Sequence, residues 1–419
     1  MDTNQLTRLR DELTAFLEDL TADLGRADRR RWALAYVRGL LLDGDRKSAG
    51  AMAERLAAID RTGRDYEQGL QQLLADSPWP DRPVRDRLAR WAAARSGRGE
   101  RVVVVDDTGF PKKGRHSVGV APQYSGSIGA VGNCQVAVTV QVAANGAVVC
   151  LDAALYLPRA WADDPARCAA AGVPTEVEYR PKWQLALGLL DRARANGVTG
   201  VVLADADYGS VAVFRAGLVA QGWSYAVAVR PGVVVIAAGE DLGPVPPWRG
   251  TGTRPRRPAN VRHLRVKATA ARRWAADRAG DFRRVTWRAG SRGPLRGRFA
   301  AWRVRPAGKV SSRRMPGEEC WLLAEWPAGE AEPAKFYLSN LPAGTRLRAL
   351  VRAAKGRWWV EQSYQQMKEE LGLDHFEGRS WRGWHHHVTL VLLAYAFLAS
   401  ARRAGKKGAA GRRSRWSGG

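Results

Sequence analysis

The sequence predicts an α/β protein: a mixed-sheet core with an inserted, mostly β module and an all-helical N-terminal domain. Three observations lead there. Residues 1–96 carry helical periodicity with no strand signal between the helices. Two aliphatic runs, at 102–105 and 201–204, each end in acids. After Pro231 the chain turns rich in Gly, Pro and Arg, with short alternating segments that read as strands.

In the N-terminal domain, Leu6, Leu9, Leu13, Phe16, Leu17 and Leu20 recur at helical spacing. The pattern resumes through Trp32, Tyr36, Val37, Leu40 and Leu41, then at Met52, Leu56 and Ile59. Pro78, Pro80 and Pro83 punctuate the region, and Asp81 is placed to cap a last helix ending near Ala94.

Residues 97–230 form the first part of the core. Four valines run into Asp106 and Asp107 before a turn expected at Gly109 and Pro111. Strands follow at 135–142 and 147–156, joined by Asn145-Gly146, a strong hairpin signal. A helix over 182–196 leads to the strand 201–204, which ends in Asp205 and Asp207, then to a helix over 211–221 and a strand over 223–229. The order is β-β-β-α-β-α-β. Residues 231–342 make the insertion, with strands expected at 261–266, 282–287, 299–304, 321–326 and 335–338. Residues 343–403 return to helix, broken near 378–383, and 404–419 form a basic tail.

The chain carries 67 Lys+Arg against 41 Asp+Glu, a formal net charge of +26, which calls for a polyanionic partner or an acidic membrane surface. Residues 231–317 hold 21 Lys+Arg and 4 Asp+Glu, and residues 401–419 hold 7 basic residues and no acid. Nearly all of the excess therefore sits in the insertion and the tail. A merely Arg-rich composition would spread it evenly. Nucleic acid is the partner this pattern predicts, with Arg283, Arg284, Arg296 and Arg298 as phosphate contacts in the insertion and Lys112 and Lys113 beside the first acids.

Cys134, Cys150, Cys168 and Cys320 show no metal-ligand spacing, which points to buried thiols in a reducing, cytoplasmic compartment. The acidic, amphipathic residues 1–19 make no signal or transit peptide, and the apolar run 388–400 is too short to span a bilayer. His385, His386 and His387 point about 100° apart on a helix, so they do not converge on one ion. Gly126, Gly129 and Gly132 lack the Lys-Ser/Thr of a nucleotide loop and read as a loop near DNA, with Tyr124 beside it. Trp274, Trp287 and Trp302 lie among arginines, placed to stack on unpaired bases.

Two-metal phosphoryl transfer needs hard oxygen ligands converging on ions about 3.5–4 Å apart. Asp106 and Asp205 follow strands, and Glu361 lies on the late helix. Stepping 100° per residue from Arg357, Glu361 falls at about 40°, Tyr364 at about −20° and Lys368 at about 20°, so the four line one face. Val360, Met367 and Leu371 make an adjacent apolar stripe that would pack on the sheet. Arg357, Tyr364 and Lys368 are then candidate DNA contacts around the metals Asp106, Asp205 and Glu361 would hold.

These residues carry a resemblance. Asp106-Asp107-Thr108, the stretch Ala204-Asp205-Ala206-Asp207-Tyr208-Gly209, and Arg357-Trp358-Trp359-Val360-Glu361 with Lys368 resemble bacterial insertion-sequence transposases of the DDE type. Arg46-Lys47-Ser48 with Met52-Ala53-Glu54, and residues 372–377, also look like this branch, so the likeness runs from about Trp32 to Ala399. It implies a ribonuclease H-like core with a β insertion before the final Glu, and a catalytic triad of Asp106, Asp205 and Glu361. It also implies two Mg²⁺ ions, or Mn²⁺ in their place, and double-stranded DNA, both terminal repeats and target, as substrate. A homodimer follows from an element having two ends, and a nucleoid-associated location from the substrate. Arg357 and Lys368 match the Arg and Lys of the signature Tyr-x2-Arg-x3-Glu-x6-Lys, while Ala354 stands where its Tyr belongs. Asp107 stays a rival to Asp106. The alternative from another class is a DNA-binding regulator that descends from such an enzyme and no longer cuts. An RNA-binding scaffold gives the strand-end acids no role.

Overall fold

The computed structural model describes residues 3–60, 63–97, 99–126, 129–255, 259, 267–290, 293–307 and 316–415. The chain divides into two compact units, Met1–Thr199 with Trp358–Gly419, and Gly200–Arg357.

The first unit opens with α1 (Thr3–Leu20), α2 (Ala27–Leu41), α3 (Ala49–Ile59), α4 (Tyr66–Ala75) and α5 (Asp81–Arg95). The periodic residues Leu13, Leu17, Leu20, Tyr36, Leu40 and Met52 are buried, whereas Leu6 and Ile59 stay exposed. Asp81 is the first residue of α5 and not its cap: Pro80 holds the cap position, and the Asp81 carboxylate pairs with Arg85 one turn on.

Four strands follow, β1 (Arg101–Pro111), β2 (Ala121–Ser125), β3 (Ala130–Ala144) and β4 (Ala147–Leu155). β3 pairs antiparallel with β1 from Ala144 to Cys134, and with β2 and then β4 along its other edge. Asn145 and Gly146 both take positive φ, 52° and 79°, which gives the tight hairpin turn their sequence predicts. Gly109 and Pro111, expected to form a turn, instead extend β1. A Cβ on Gly109 would stand 2.1 Å from the Ser125 hydroxyl, so glycine here permits a close side-chain approach within the sheet.

Beyond the short helices α6 (Arg159–Ala162) and α7 (Pro165–Ala170), α8 (Lys182–Ala195) packs on β3 and β4. Asp152 of β4 receives Arg85 from α5 and Arg192 from α8, the latter at 2.7 Å, so one buried carboxylate ties three elements together.

The second unit begins with β5 (Val201–Leu203), α9 (Ala206–Gly209), α10 (Ala212–Ala220) and β6 (Ser224–Val229), in which β5 and β6 run parallel. It continues through β7 (Val234–Ala237), β8 (Thr269–Ala270), α11 (Ala271–Ala276), β9 (Arg283–Gly290), β10 (Gly293–Ala307), β11 (Cys320–Trp326), β12 (Lys335–Ser339) and α12 (Leu347–Ala354). Its strands lie in the order β5-β6-β12-β11-β10-β7-β8, with β9 on β10. The strand expected at 261–266 lies outside the described residues. Trp274 is buried, Trp287 packs against the apolar cluster under β9 to β11, and Trp302 donates to Asp281 at 2.7 Å, so these rings serve the unit's own packing.

The chain then returns to the first unit as α13 (Trp358–Glu369) and α14 (Trp381–Arg415). α14 packs on β4, α2, α4 and α5, and Val388, Val391, Leu392 and Leu393 are buried there. No helix among the described residues is long and apolar enough to cross a membrane. The antiparallel strands, the helix α8 and the parallel pair follow in the order of a ribonuclease H-like mixed α/β core, accompanied by the helical N-terminal segment and a β-rich insertion.

The three histidines of α14 find separate partners. His386 faces the carbonyls of Leu74 and Trp79, both at 2.9 Å, and His385 faces that of Trp381. His387 lies between the Tyr36 hydroxyl at 2.8 Å on Nδ1 and the Gly372 carbonyl at 3.1 Å on Nε2. A neutral ring satisfies both contacts of His387, accepting from Tyr36 and donating to Gly372. Burial therefore holds its pKa down to about 4.

Two outcomes are expected. Asp152→Ala strands the buried Arg85 without its main partner and should cost about 3–5 kcal/mol in urea unfolding. The depressed His387 pKa stabilises the fold fully above the ordinary histidine value near 6.5, and that contribution is lost as pH falls through 4. His387 should thus remove about 2 kcal/mol between pH 7 and pH 5. His387→Gln, weaker at pH 7, should flatten that part of the stability-pH curve.

Candidate active site

Strand alternation decides what each of the paired acids faces. Asp106 stands opposite Thr139 across the β1–β3 ladder, and Asp107 opposite Val138. Asp106 is buried, and its carboxylate accepts the Asp107 amide at 3.0 Å. On the same face, the Thr139 and Tyr364 hydroxyls are 2.6 Å apart, and Ser363 donates to the Gln141 side-chain carbonyl at 2.5 Å. Two consecutive residues of α13 are therefore bonded to two alternate residues of β3. Burial, and then the charge of Asp106, push the Tyr364 hydroxyl well above its ordinary pKa, so it keeps its proton.

The predicted apolar stripe docks as expected, with Val360, Met367 and Leu371 buried. Glu361, one turn before Tyr364, is exposed and makes no hydrogen bond or ion pair among the described residues. Lys368 donates to the Gly109 carbonyl at 2.8 Å and lies 5.7 Å from the Phe110 ring, and burial lowers its pKa. Tyr364 turns its hydroxyl into the sheet. Arg357 lies in the single 3₁₀ turn Lys355–Arg357 that closes the second unit.

The opposite face of the sheet belongs to Asp107, which pairs with Lys182 at the start of α8. Lys112 donates to the Phe376 carbonyl at 2.6 Å, and Lys113 is exposed. Thr139, Gln141, Ser363 and Lys182 escaped the sequence reading. A signal for two of them was present: Thr139 and Gln141 alternate with Val138, Val140 and Val142, the period-two mark of a polar patch on one strand face.

In the second unit, Asp205 follows β5 and caps α9, its carboxylate accepting the amides of Asp207 at 3.0 Å and Tyr208 at 3.2 Å. A Cβ on Gly209 would stand 1.9 Å from the Ala228 carbonyl, so only glycine lets this turn lie against β6. Asp207 pairs with Arg230 at 2.7 Å on the surface. Arg284, Arg296 and Arg298 are exposed, whereas Arg283 donates to the Gly280 carbonyl at 2.7 Å.

Against known proteins, residues 19–294 match the model of the DDE superfamily endonuclease family. The chain belongs to that family. It is also similar to the probable transposase for insertion sequence element IS701 of Microchaete diplosiphon, with 33% identity over 171 residues. That match covers 40% of this chain and 42% of the relative's length.

Family membership implies a divalent metal, and the donor chemistry fits one. The candidate ligands are carboxylates only, the hard oxygen donors that Mg²⁺ and Mn²⁺ prefer over the nitrogen and sulfur of zinc sites. Backbone amides already orient two of them, Asp106 and Asp205.

Thr139→Val keeps the volume and removes the partner of Tyr364. Stability is expected to fall by about 1–2 kcal/mol, and Mn²⁺ affinity in calorimetric titration several-fold. Lost stability with unaltered Mn²⁺ affinity would limit the hydroxyl pair to holding the fold.

Proposed function

We propose that the protein is a DNA transposase that cuts and joins the ends of a mobile element by two-metal phosphoryl transfer. Asp106, Asp205 and Glu361 are its metal ligands. The observation that carries this reading is the fastening of α13 to β3, which puts the helix of Glu361 on the strand face of Asp106. The likeness to the IS701 protein supports the same reading.

The ions, Mg²⁺ or Mn²⁺, would supply charge neutralisation and nucleophile activation for in-line displacement at phosphorus. The chain's own groups do the positioning. Lys368, anchored on the Gly109 carbonyl near the end of β1, and Arg357 hold phosphate oxygens of the substrate strand. Lys112 and Lys113 follow directly on β1 and extend that contact along the DNA. The Tyr364 hydroxyl retains its proton and acts through the position of α13, touching no substrate. Asp107 is balanced by Lys182, which favours Asp106 as the first ligand. The basic insertion and the tail hold duplex DNA, and a homodimer in the bacterial cytoplasm, on the nucleoid, engages both element ends.

Glu361→Gln keeps size and removes charge. Cleavage of a supercoiled plasmid bearing the element's ends should fall at least 100-fold in Mg²⁺ or Mn²⁺, while gel-shift affinity for the same ends stays within about two-fold. Asp106→Asn and Asp205→Asn should behave alike. Undiminished cleavage by the Gln variant would falsify the triad. An active Asp106→Asn beside a dead Asp107→Asn would move the first ligand by one residue.

A further inference from the structure

The hairpin of β9 and β10 is built asymmetrically. Among the described residues β9 pairs only with β10, and β11 joins β10 from Arg298 onward. Among the described residues, Thr286–Gly290 and Gly293–Arg296 therefore form a ribbon two strands wide that runs past the rest of the sheet by about 15 Å, at about 3.4 Å per residue. A register shift at Leu295/Arg296 adds twist to it.

Its two faces differ in chemistry. Inward, Val285 and Phe299 pack with Leu350, Val351 and Ala354 of α12, and Trp287 lies against them. Outward, Arg284 stands opposite Arg298 and Arg296 opposite Thr286; past the register shift Arg288 pairs with Leu295, which alternates with Arg296 and so falls on the side of Gly297 and Phe299. No acidic residue occurs in β9 or β10 to offset them. Like charges placed directly across an antiparallel pair destabilise it. The Arg284–Arg298 pair is thus a cost that folding alone does not explain and that a polyanion would relieve. Arg298 is held in place, its guanidinium 4.2 Å over the Trp326 ring. Arg283 belongs to the inner side, in register with Phe299 and bonded to the Gly280 carbonyl.

We infer that this ribbon lies in the major groove of double-stranded DNA, with Arg284, Arg296 and Arg298 on phosphates and groove edges. The inference rests on the transposase reading for the choice of DNA as partner. A two-stranded ribbon has the width the major groove admits, about 12 Å. The guanidinium fork suits both phosphate oxygens and guanine edges.

The test uses the full chain and a 30-base-pair mixed-sequence duplex in gel shifts across a salt series. Arg284→Ala with Arg296→Ala should weaken binding at least ten-fold and reduce the slope of log K against log salt by about 2, at about 0.9 per lost phosphate contact. The corresponding Lys pair should restore most of the slope, and Arg283→Ala should leave it unchanged. Methyl green, a major-groove ligand, should displace the wild-type protein, and netropsin, a minor-groove ligand, should not. An unchanged slope in the folded double-Ala variant overturns the ribbon contact and leaves the transposase reading standing. Displacement by netropsin alone, or equal affinity for single-stranded DNA or RNA of the same length, overturns the major-groove assignment. A wild-type chain that binds no duplex overturns the transposase reading and this inference with it.

Discussion

Two hydrogen bonds between α13 and β3, one between the Tyr364 and Thr139 hydroxyls and one from Ser363 to Gln141, govern the candidate site. Apolar packing alone would let the helix slide along a valine-rich strand at small cost, because one aliphatic contact replaces another. Buried polar groups remove that freedom, since a slip of one residue leaves each of them without a partner. The position of Glu361 along the sheet is thereby set by groups other than the candidate ligands. Val360, Met367 and Leu371 supply the adhesion, and the hydroxyls and the amide supply the register.

The other face of the same strands handles charge differently. There Asp107 meets Lys182, and Asp152 meets Arg85 and Arg192, so acids near the sheet are matched by bases from α5 and α8. Buried charges persist only where such matching exists. The N-terminal helices gain a structural duty from it: α5 brings Arg85 to β4 and, with α2 and α4, packs on α14.

How much of this was legible in the sequence varied with the kind of signal. The hydrophobic runs and periods gave β4, α8, β5 and β6 nearly to their ends and β1 at its start, and Asn145-Gly146 gave the hairpin turn. Gly109 and Pro111 misled because they are read as turn formers, whereas here a glycine admits the Ser125 hydroxyl inside a sheet. β2 was missed because Ala121–Ser125 is short and half-exposed. At the site, the acids stood out as charges at strand ends. Tyr364 was expected toward DNA because it shares a helical face with Glu361, yet it lies about 60° round the helix from Glu361, far enough for its hydroxyl to reach Thr139 on the sheet. Four arginines of the insertion looked equivalent in sequence. Only register separates Arg283, which shares a side with Phe299, from the other three.

β10 has a mechanical consequence. This single strand of 15 residues carries the projecting ribbon at one end, and further along it is bonded to β11 from Arg298 to Val304 and to β7 from Val304 to Ala307. A pull directed along the ribbon loads those ladders in shear, with many bonds strained together, and not by unzipping them one after another. Lengthwise tension from a bound polymer is therefore delivered to the sheet as a whole. Sideways force on the tip meets only the β9 ladder and the apolar seat on α12.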